Sequence, residues 1–218
     1  MTRTIVNSLM HHYNIFKKII IVWMCLFICG FSYAQKDWSS EIWHDGKVVL
    51  LAGDTLKGIV KYDLQQDLLQ YIYSKDKAEI YTARKVLFFE IFDENVHKYR
   101  QFYSLPYSNS SGYKAPKFFE LLEEGKITLL SRELLEYKTY NNTFYGGSFS
   151  RLVQTYYYYL MKDDGTIEDF KGNKNDLIAL MGNKGKTVEK YIKANRLDFD
   201  DKYDLAKIVA YYNSLMGT

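Results

Sequence analysis

Short apolar runs, and runs in which apolar and polar residues alternate, fill the chain from Lys47 to Phe170. From Thr55 to Tyr62 the pattern has the period of two that is typical of a strand with one buried face. The run from Val86 to Phe92 is apolar on both faces, as in a central or covered strand. The pattern therefore predicts that this region is built from β-strands.

Two pairs of these runs are separated by turn sequences. Phe118–Leu122 and Ile127–Leu130 flank a short connection that contains Gly125, and Gln154–Met161 precedes the turn pair Asp164-Gly165. Such spacing is typical of β-hairpins. Parallel neighbours would need crossover segments of about a dozen residues. The strands are therefore predicted to form an antiparallel meander.

The last part of the chain has the periodicity of helices. Three short helices are predicted, at Asp176–Met181, Thr187–Ala194 and Asp201–Met216, and the third carries a clear apolar stripe. Isolated helices of this length are marginal in water, so we expect them to pack on the sheet. The predicted fold class is α+β: an antiparallel β-meander, as a sheet or half-barrel, followed by a C-terminal cluster of three short helices.

Residues 1–34 have the pattern of a signal peptide. The apolar run Ile19–Phe31 follows Lys17-Lys18, and cleavage is predicted between Ala34 and Gln35. Two alternatives stay open: an uncleaved N-terminal anchor, and translation that starts at Met10. After cleavage we expect no membrane span. Residues 35–171 are then an antiparallel β region that forms one domain with the helical region 172–218.

The predicted leader changes the interpretation of charge and cysteine content. The chain has 29 Lys and Arg against 26 Asp and Glu, and both of its cysteines, Cys25 and Cys29, lie in the leader together with three of the bases. Without the leader the charges balance, which argues against nucleic acid as a partner. The absence of cysteine excludes disulfides and cysteine nucleophiles, and it suits export into an oxidising compartment.

The sequence predicts no catalytic residues, no metal site and no cofactor. Gly182–Thr187 resembles a phosphate loop, but Leu180 stands where that motif needs its first glycine. The acidic residues from Asp198 to Asp204 are explained by the start of the last helix. His44 and His97 are interpreted as turn or surface residues.

The alternative function is an envelope hydrolase that uses Asp, Glu or Ser together with a histidine. Its candidate residues are His44, His97, Glu90, Asp93 and Glu120. At least two of them would have to converge within hydrogen-bond reach in a concave pocket.

Tyrosine is the unusual component of the composition, with 21 residues in the chain. The run Tyr156–Tyr159 places two rings on each face of a predicted strand, where cross-strand packing is the simplest explanation. Tyrosine also suits binding surfaces, because it combines a large ring with a polar tip. The candidate binding residues are the exposed aromatics Tyr156, Tyr158, Phe144 and Tyr145, the last two in the polar, glycine-containing segment Asn141–Ser150, which is predicted to be a loop.

Three short motifs lie along the chain: Gly53-Asp54-Thr55-Leu56-Lys57-Gly58-Ile59, Phe119 to Gly125 in the form F-x-x-L-x-x-G, and Tyr212-Asn213 in the last helix. In these motifs the chain resembles a group of uncharacterised secreted or periplasmic proteins of Gram-negative bacteria. That group has an N-terminal G-D-T-x-x-G-x-[IV] hairpin and a C-terminal helix that ends in Tyr-Asn. The resemblance implies an envelope or secreted location and no particular activity.

The sequence therefore predicts an exported envelope protein, periplasmic or secreted, that is a non-enzymatic binding or scaffolding module. An envelope protein or a glycan is the expected partner. An exposed aromatic strip would favour this interpretation, and a pocket with converging acids and histidines would favour the hydrolase.

Overall fold

The computed structural model describes residues 38–74, 77–108, 112–142 and 146–217. This part of the chain contains ten β-strands in one antiparallel sheet, followed by three α-helices. The strands are β1 (His44–Leu50), β2 (Thr55–Asp63), β3 (Leu68–Ser74), β4 (Lys77–Thr82), β5 (Val86–Asp93), β6 (Lys98–Ser108), β7 (Lys114–Glu123), β8 (Thr128–Asn142), β9 (Gly147–Met161) and β10 (Ile167–Phe170). The predicted α+β class, an antiparallel sheet followed by C-terminal helices, is confirmed.

The strand order shows that the sheet is curled. The order is β10-β9-β8-β7-β6-β5-β1-β2-β3-β4, so consecutive strands are neighbours at every step except from β4 to β5. Only residues 83–85 join these two strands. From Thr82 to Val86 the chain spans at most about 14 Å, whereas four strand spacings in a flat sheet measure about 19 Å. The sheet therefore curls until β4 returns towards β5, which favours the half-barrel over the flat sheet.

The concave face of the curled sheet holds the first hydrophobic core. Phe89 stacks on Phe102 with ring centroids 4.6 Å apart, and Phe118 meets Phe89 edge-on at 5.1 Å. Each fully buried aromatic or aliphatic side chain contributes about 1.5–3 kcal/mol to stability. The other large apolar members of this core are Val48, Val60, Leu64, Leu69, Val86 and Ile91.

The helices cover the concave face where it continues towards β10. They are α1 (Lys174–Leu180), α2 (Gly185–Asn195) and α3 (Lys202–Met216). Their apolar stripes and the sheet residue Leu129 form a second core, whose helical members include Leu177, Val188, Ile192, Leu205, Ile208 and Val209. Of the helices that the structure describes, none combines the length and the apolar character needed to cross a membrane.

The acidic residues before the last helix act as its cap. The side chain of Asp201 accepts hydrogen bonds from the backbone N–H groups of Tyr203 and Asp204, as an N-cap residue does. The carboxylate of Asp204 accepts from the backbone N–H of Asp198 and from Lys207. These contacts agree with the interpretation of this acidic segment as a helix start.

Two local predictions were wrong. His44 does not lie in a turn: it begins β1, is only 3% exposed, and has ring nitrogens that face the backbone carbonyls of Ser39 and Phe92. The segment Asn141–Ser150 is not a long loop, because its two ends belong to β8 and β9. Cross-strand pairing of these two strands overrides the polar, glycine-containing composition of the segment.

Candidate binding surface

The β8–β9 hairpin extends far beyond the strands beside it. β7 pairs with β8 only up to Ser131, and β10 pairs with β9 only from Tyr158 onward. Beyond these points β8 and β9 pair with each other alone, from the pair Arg132 and Tyr157 to the pair Asn142 and Gly147. We call this two-stranded extension, Arg132–Asn142 with Gly147–Tyr157, the ribbon. Among the described residues, no strand pairs with either of its outer edges.

Open space lies along both edges of the ribbon near its base. A cavity of about 410 Å³ separates Glu133, Leu134 and Leu135 of β8 from β2 and β3. A second cavity, of about 190 Å³, opens beside β9 where β10 ends, and its lining includes the run Tyr156–Tyr159. The outer edges of the ribbon are therefore accessible from the point where they lose their neighbouring strands.

Aromatic side chains are exposed along the ribbon. Tyr137 is 76% exposed and Phe149 is 54% exposed. Phe149 stacks on Tyr140 with ring centroids 5.6 Å apart, and the guanidinium of Arg151 lies 4.8 Å from the centre of the Tyr140 ring. Exposed aromatic and arginine side chains of this kind are enriched at protein interfaces.

The tyrosine run lies on both faces of β9, at and beyond the base of the ribbon. Tyr156 and Tyr157 are each 36% exposed, whereas Tyr158 and Tyr159 are less exposed. Tyr158 packs in the helical core, and burial raises its pKa to about 12. Tyr159 packs edge-on against Tyr107 and Phe119. Of the predicted pair Tyr156 and Tyr158, Tyr156 is therefore the more exposed.

Four predicted residues lie outside the described residues: Phe144 and Tyr145, and also Ala34 and Gln35 at the predicted cleavage site. Sequence reasoning did not identify Tyr137 and Phe149, the most exposed ribbon aromatics. The available signal was weak, because each is a single aromatic residue in a mainly polar segment.

Arg132 fixes the base of the ribbon. Its guanidinium donates hydrogen bonds to Asp67, at 2.6 Å, and to the backbone carbonyls of Phe118 and Leu64. Asp67 also accepts a hydrogen bond from the backbone N–H of Phe118. Asp67 and Arg132 therefore occupy the place where β7 and β8 separate.

On the concave side, the adjacent residue Glu133 joins a buried ionic cluster, which we define as Asp93, Arg100, Glu120, Glu133 and Lys202. The Arg100 guanidinium donates to the carboxylates of Asp93, Glu120 and Glu133, each at 2.8 Å. Glu133 also accepts hydrogen bonds from the Tyr62 hydroxyl and from Gln154. The five members come from β5, β6, β7, β8 and α3, so the cluster lies between the two hydrophobic cores.

Lys202 links this cluster to the first turn of α3. Its ammonium group lies 3.1 Å from a Glu120 carboxylate oxygen and within 4.9 Å of the ring centres of Tyr156 and Tyr203. Burial lowers the pKa of Lys202, and the interaction with Glu120 opposes that shift. Tyr156 therefore packs over the cation that ties the helix to the base of the ribbon.

Two acids of the cluster, Glu120 and Asp93, are held in their charged form. Burial alone raises the pKa of Glu120, but Arg100 and Lys202 outweigh it and lower the pKa to about 2. In Asp93 burial likewise opposes the hydrogen bonds from Ser39 and Arg100, which hold the pKa below its usual value. A general acid or base needs a pKa near the working pH, so these two carboxylates are poorly suited to proton transfer.

The remaining hydrolase candidates lie apart from the cluster or make only structural contacts. His97 is exposed beside Glu94, and Glu90 pairs with Lys47 and Gln101. The Ser39 hydroxyl donates to Asp93 and the Ser39 carbonyl faces His44, so Ser39 lies between these two candidates. In the described parts of the chain, no three His, Cys, Asp or Glu side chains are arranged to hold a metal ion.

No protein-family model, curated protein or solved structure matches this chain.

Proposed function

We propose that this protein is an exported, non-enzymatic binding module of the cell envelope that binds a polypeptide partner through the ribbon. The observation that carries the proposal is the extension of the ribbon beyond β7 and β10, with exposed aromatic side chains along it. The leader pattern of residues 1–34 supports export.

The free edges of the ribbon favour a polypeptide over a glycan. An unpaired strand edge presents a row of backbone N–H and C=O groups, and an added strand satisfies these groups in register. Aromatic side chains on the adjacent faces then supply contact area. A glycan would use the rings but would leave the regular ladder of donors and acceptors unused.

The ionic contacts at the base support a binding role because they fix the ribbon to the body of the protein. Arg132 and Glu133 are both buried, and each makes several hydrogen bonds, on opposite faces of β8. A strand held in this way presents its edge in one orientation, which lowers the entropy lost on binding. Arg100 binds the carboxylates of both Glu120 and Glu133, so these two acids are committed to structural partners.

The test is site-specific photo-crosslinking in cells that produce the full-length chain. A benzophenone amino acid at Tyr137 or Phe149 is expected to give a protein adduct. The same substitution at Tyr99, which is 71% exposed but lies on β6, is the matched control and is expected to give none.

Shortening the ribbon provides the second arm of the test. Replacing residues 137–152 by an Asn-Gly turn keeps its buried base and removes its outer part. With the benzophenone at Tyr157, the chain with the complete ribbon is expected to give the protein adduct, and the shortened variant is expected to lose it. Equal adducts at Tyr99 and Tyr137, or a ligand that only glycosidase treatment removes, would contradict the proposal.

Export is tested separately by N-terminal sequencing of the purified protein. The sequence is expected to begin at Gln35, and an intact leader would show that the predicted cleavage does not occur.

A further inference from the structure

We infer that the polypeptide that pairs with the ribbon is a second copy of this chain, joined edge to edge through β8 about a two-fold axis at Tyr137. This inference rests on the proposed function and names the partner. It predicts a symmetric dimer in which the two sheets become continuous through an antiparallel β8–β8 pair.

The charges along β8 fit this arrangement. When Tyr137 lies opposite its own copy, antiparallel pairing places Glu136 of each chain opposite Lys138 of the other. Residues directly opposite each other in an antiparallel pair project from the same face and interact. Glu136 and Lys138 share the face of β8 opposite Tyr137, so the dimer gains two ion pairs on one face and a tyrosine pair on the other.

The exposure of these residues agrees with the inference. Tyr137 has the largest exposed fraction of the described large hydrophobic side chains, and Lys138 and Thr139 beside it are also exposed. The half-buried Glu136 accepts a hydrogen bond from the Tyr157 hydroxyl at 2.5 Å, and both residues lie on the face of the ribbon that carries Lys138. A shift of the two-fold axis by one residue, to Lys138, would place Lys138 opposite its own copy and Glu136 opposite Tyr140, and would lose both ion pairs.

Two other edges, those of β9 in the ribbon and of β4, are less suited to self-pairing. The β9 edge of the ribbon carries a single charged residue, Arg151, so a two-fold axis there gives either an unpaired charge or two like charges in contact. On edge strand β4, Lys77 and Glu79 would pair about Ala78, but that ladder is confined to the first three residues of the strand. The β8 edge allows a longer ladder with two complementary charge pairs.

Charge reversal tests the register in the purified full-length product. The wild-type protein is expected to be a dimer in sedimentation equilibrium. E136K and K138E each replace two attractive contacts by two repulsive ones, and each is expected to weaken the dimer by about tenfold or more. The double variant E136K/K138E is expected to restore it. The control E168K, which reverses a charge in the exposed pair of Lys162 and Glu168, is expected to have no effect.

Disulfide trapping tests the axis independently. With Cys25 and Cys29 replaced by serine, Tyr137→Cys is expected to form an intermolecular disulfide, because its Cα atom then lies about 4.5–5.5 Å from that of its copy. Thr139→Cys is the control: its copies are about 14 Å apart in the same register, too far for a disulfide.

A monomeric wild-type protein, or equal trapping at positions 137 and 139, would overturn the inference. Failure of the dimer and failure of the binding function are distinguishable. If Tyr137 crosslinks to a different protein while the chain is monomeric, the ribbon is a binding surface and the second copy is the wrong occupant. If Tyr137 gives no adduct with any polypeptide, both proposals are wrong.

Discussion

At the scale of single residues, the geometry of Arg100 explains how charges are accommodated between two hydrophobic cores. Its guanidinium donates hydrogen bonds to three carboxylates and to the hydroxyl of Tyr62. Only arginine offers a planar set of donors that can reach several acceptors at once. Removing one partner of such a buried set leaves an uncompensated charge, which costs far more than the loss of a surface ion pair.

Glu120 is expected to make the stability of the protein depend on pH. Its pKa is lowered from 4.5 to about 2 in the folded state, so the unfolded chain takes up this proton first as the pH falls. The stabilisation is fully present above about pH 5 and is lost as the pH falls towards 2. A shift of this size corresponds to roughly 3 kcal/mol.

Urea denaturation at pH 7, 4 and 2.5 measures this contribution. The variant Glu120→Gln is expected to have a shallower fall of unfolding free energy with decreasing pH than the wild-type protein. Glu168→Gln, a substitution in an exposed ion pair, is the control and is expected to retain the wild-type slope. Equal slopes for Glu120→Gln and the wild-type protein would show that Glu120 does not carry this effect.

Sequence reasoning could not identify the ionic cluster as a unit. Glu120 lies inside the apolar run Phe118–Leu122, and it was a hydrolase candidate together with Asp93. Nothing in the local pattern marks Arg100 or Lys202 as their partners, because the members are brought together by pairing of strands and by helix packing. Such contacts depend on the strand order and not on the local sequence.

At the scale of secondary-structure elements, the strands predicted from clear alternation are present, whereas the outer half of β8 was missed. From Ser131 to Asn142 the apolar residues do not alternate, since Leu134 and Leu135 are adjacent and most other positions are polar. A free two-stranded ribbon has no single buried face, so apolar and polar residues alternate only weakly along its strands. The three helices were predicted because each packs one apolar stripe onto the sheet.

The last helix also fixes the turn between β7 and β8. The Asn213 side chain accepts a hydrogen bond from the backbone N–H of Ile127 at 3.0 Å and donates one to its carbonyl at 2.9 Å. It packs so closely on Gly125 that an added Cβ atom would lie 2.4 Å from the amide nitrogen of Asn213. Two of the sequence motifs, Phe119–Gly125 and Tyr212-Asn213, therefore meet at this turn.

We expect Asn213→Ala to destabilise the protein by about 1–3 kcal/mol, because the substitution leaves the Ile127 backbone groups without their partner. The readouts are urea denaturation and the hydrogen-exchange rate of the Ile127 amide, which is expected to increase. Asn195→Ala is the matched control, since Asn195 is exposed and bonds only to the carbonyl of Tyr191 within α2. An unchanged exchange rate at Ile127 would contradict the role given to Asn213.

At the scale of the whole molecule, the curled sheet and the helices form a body from which the ribbon extends. The short link at residues 83–85 brings β4 back towards β5 and shapes the first core, and the helices cover the second. Arg132 connects the ribbon base to the segment between β2 and β3, and Glu133 connects it to the ionic cluster. The ribbon is thus an extension of two adjacent strands of the sheet and not a separate loop, and its edges are open because β7 and β10 end near its base.

Hydrogen exchange distinguishes the two edges of the ribbon. In a β8-mediated dimer, the outward-facing amides between Leu134 and Tyr140 are hydrogen-bonded only while the dimer is intact. They are expected to exchange slowly at high protein concentration and quickly after dilution, because dilution favours the monomer. The outward-facing amides of β9 between Ser148 and Gln154 are expected to exchange quickly at both concentrations.

Amides at Leu129 and Leu130, where β8 has neighbours on both sides, are the internal reference and should stay protected. Exchange that is independent of concentration on both edges would show that the β8 edge remains unpaired in solution.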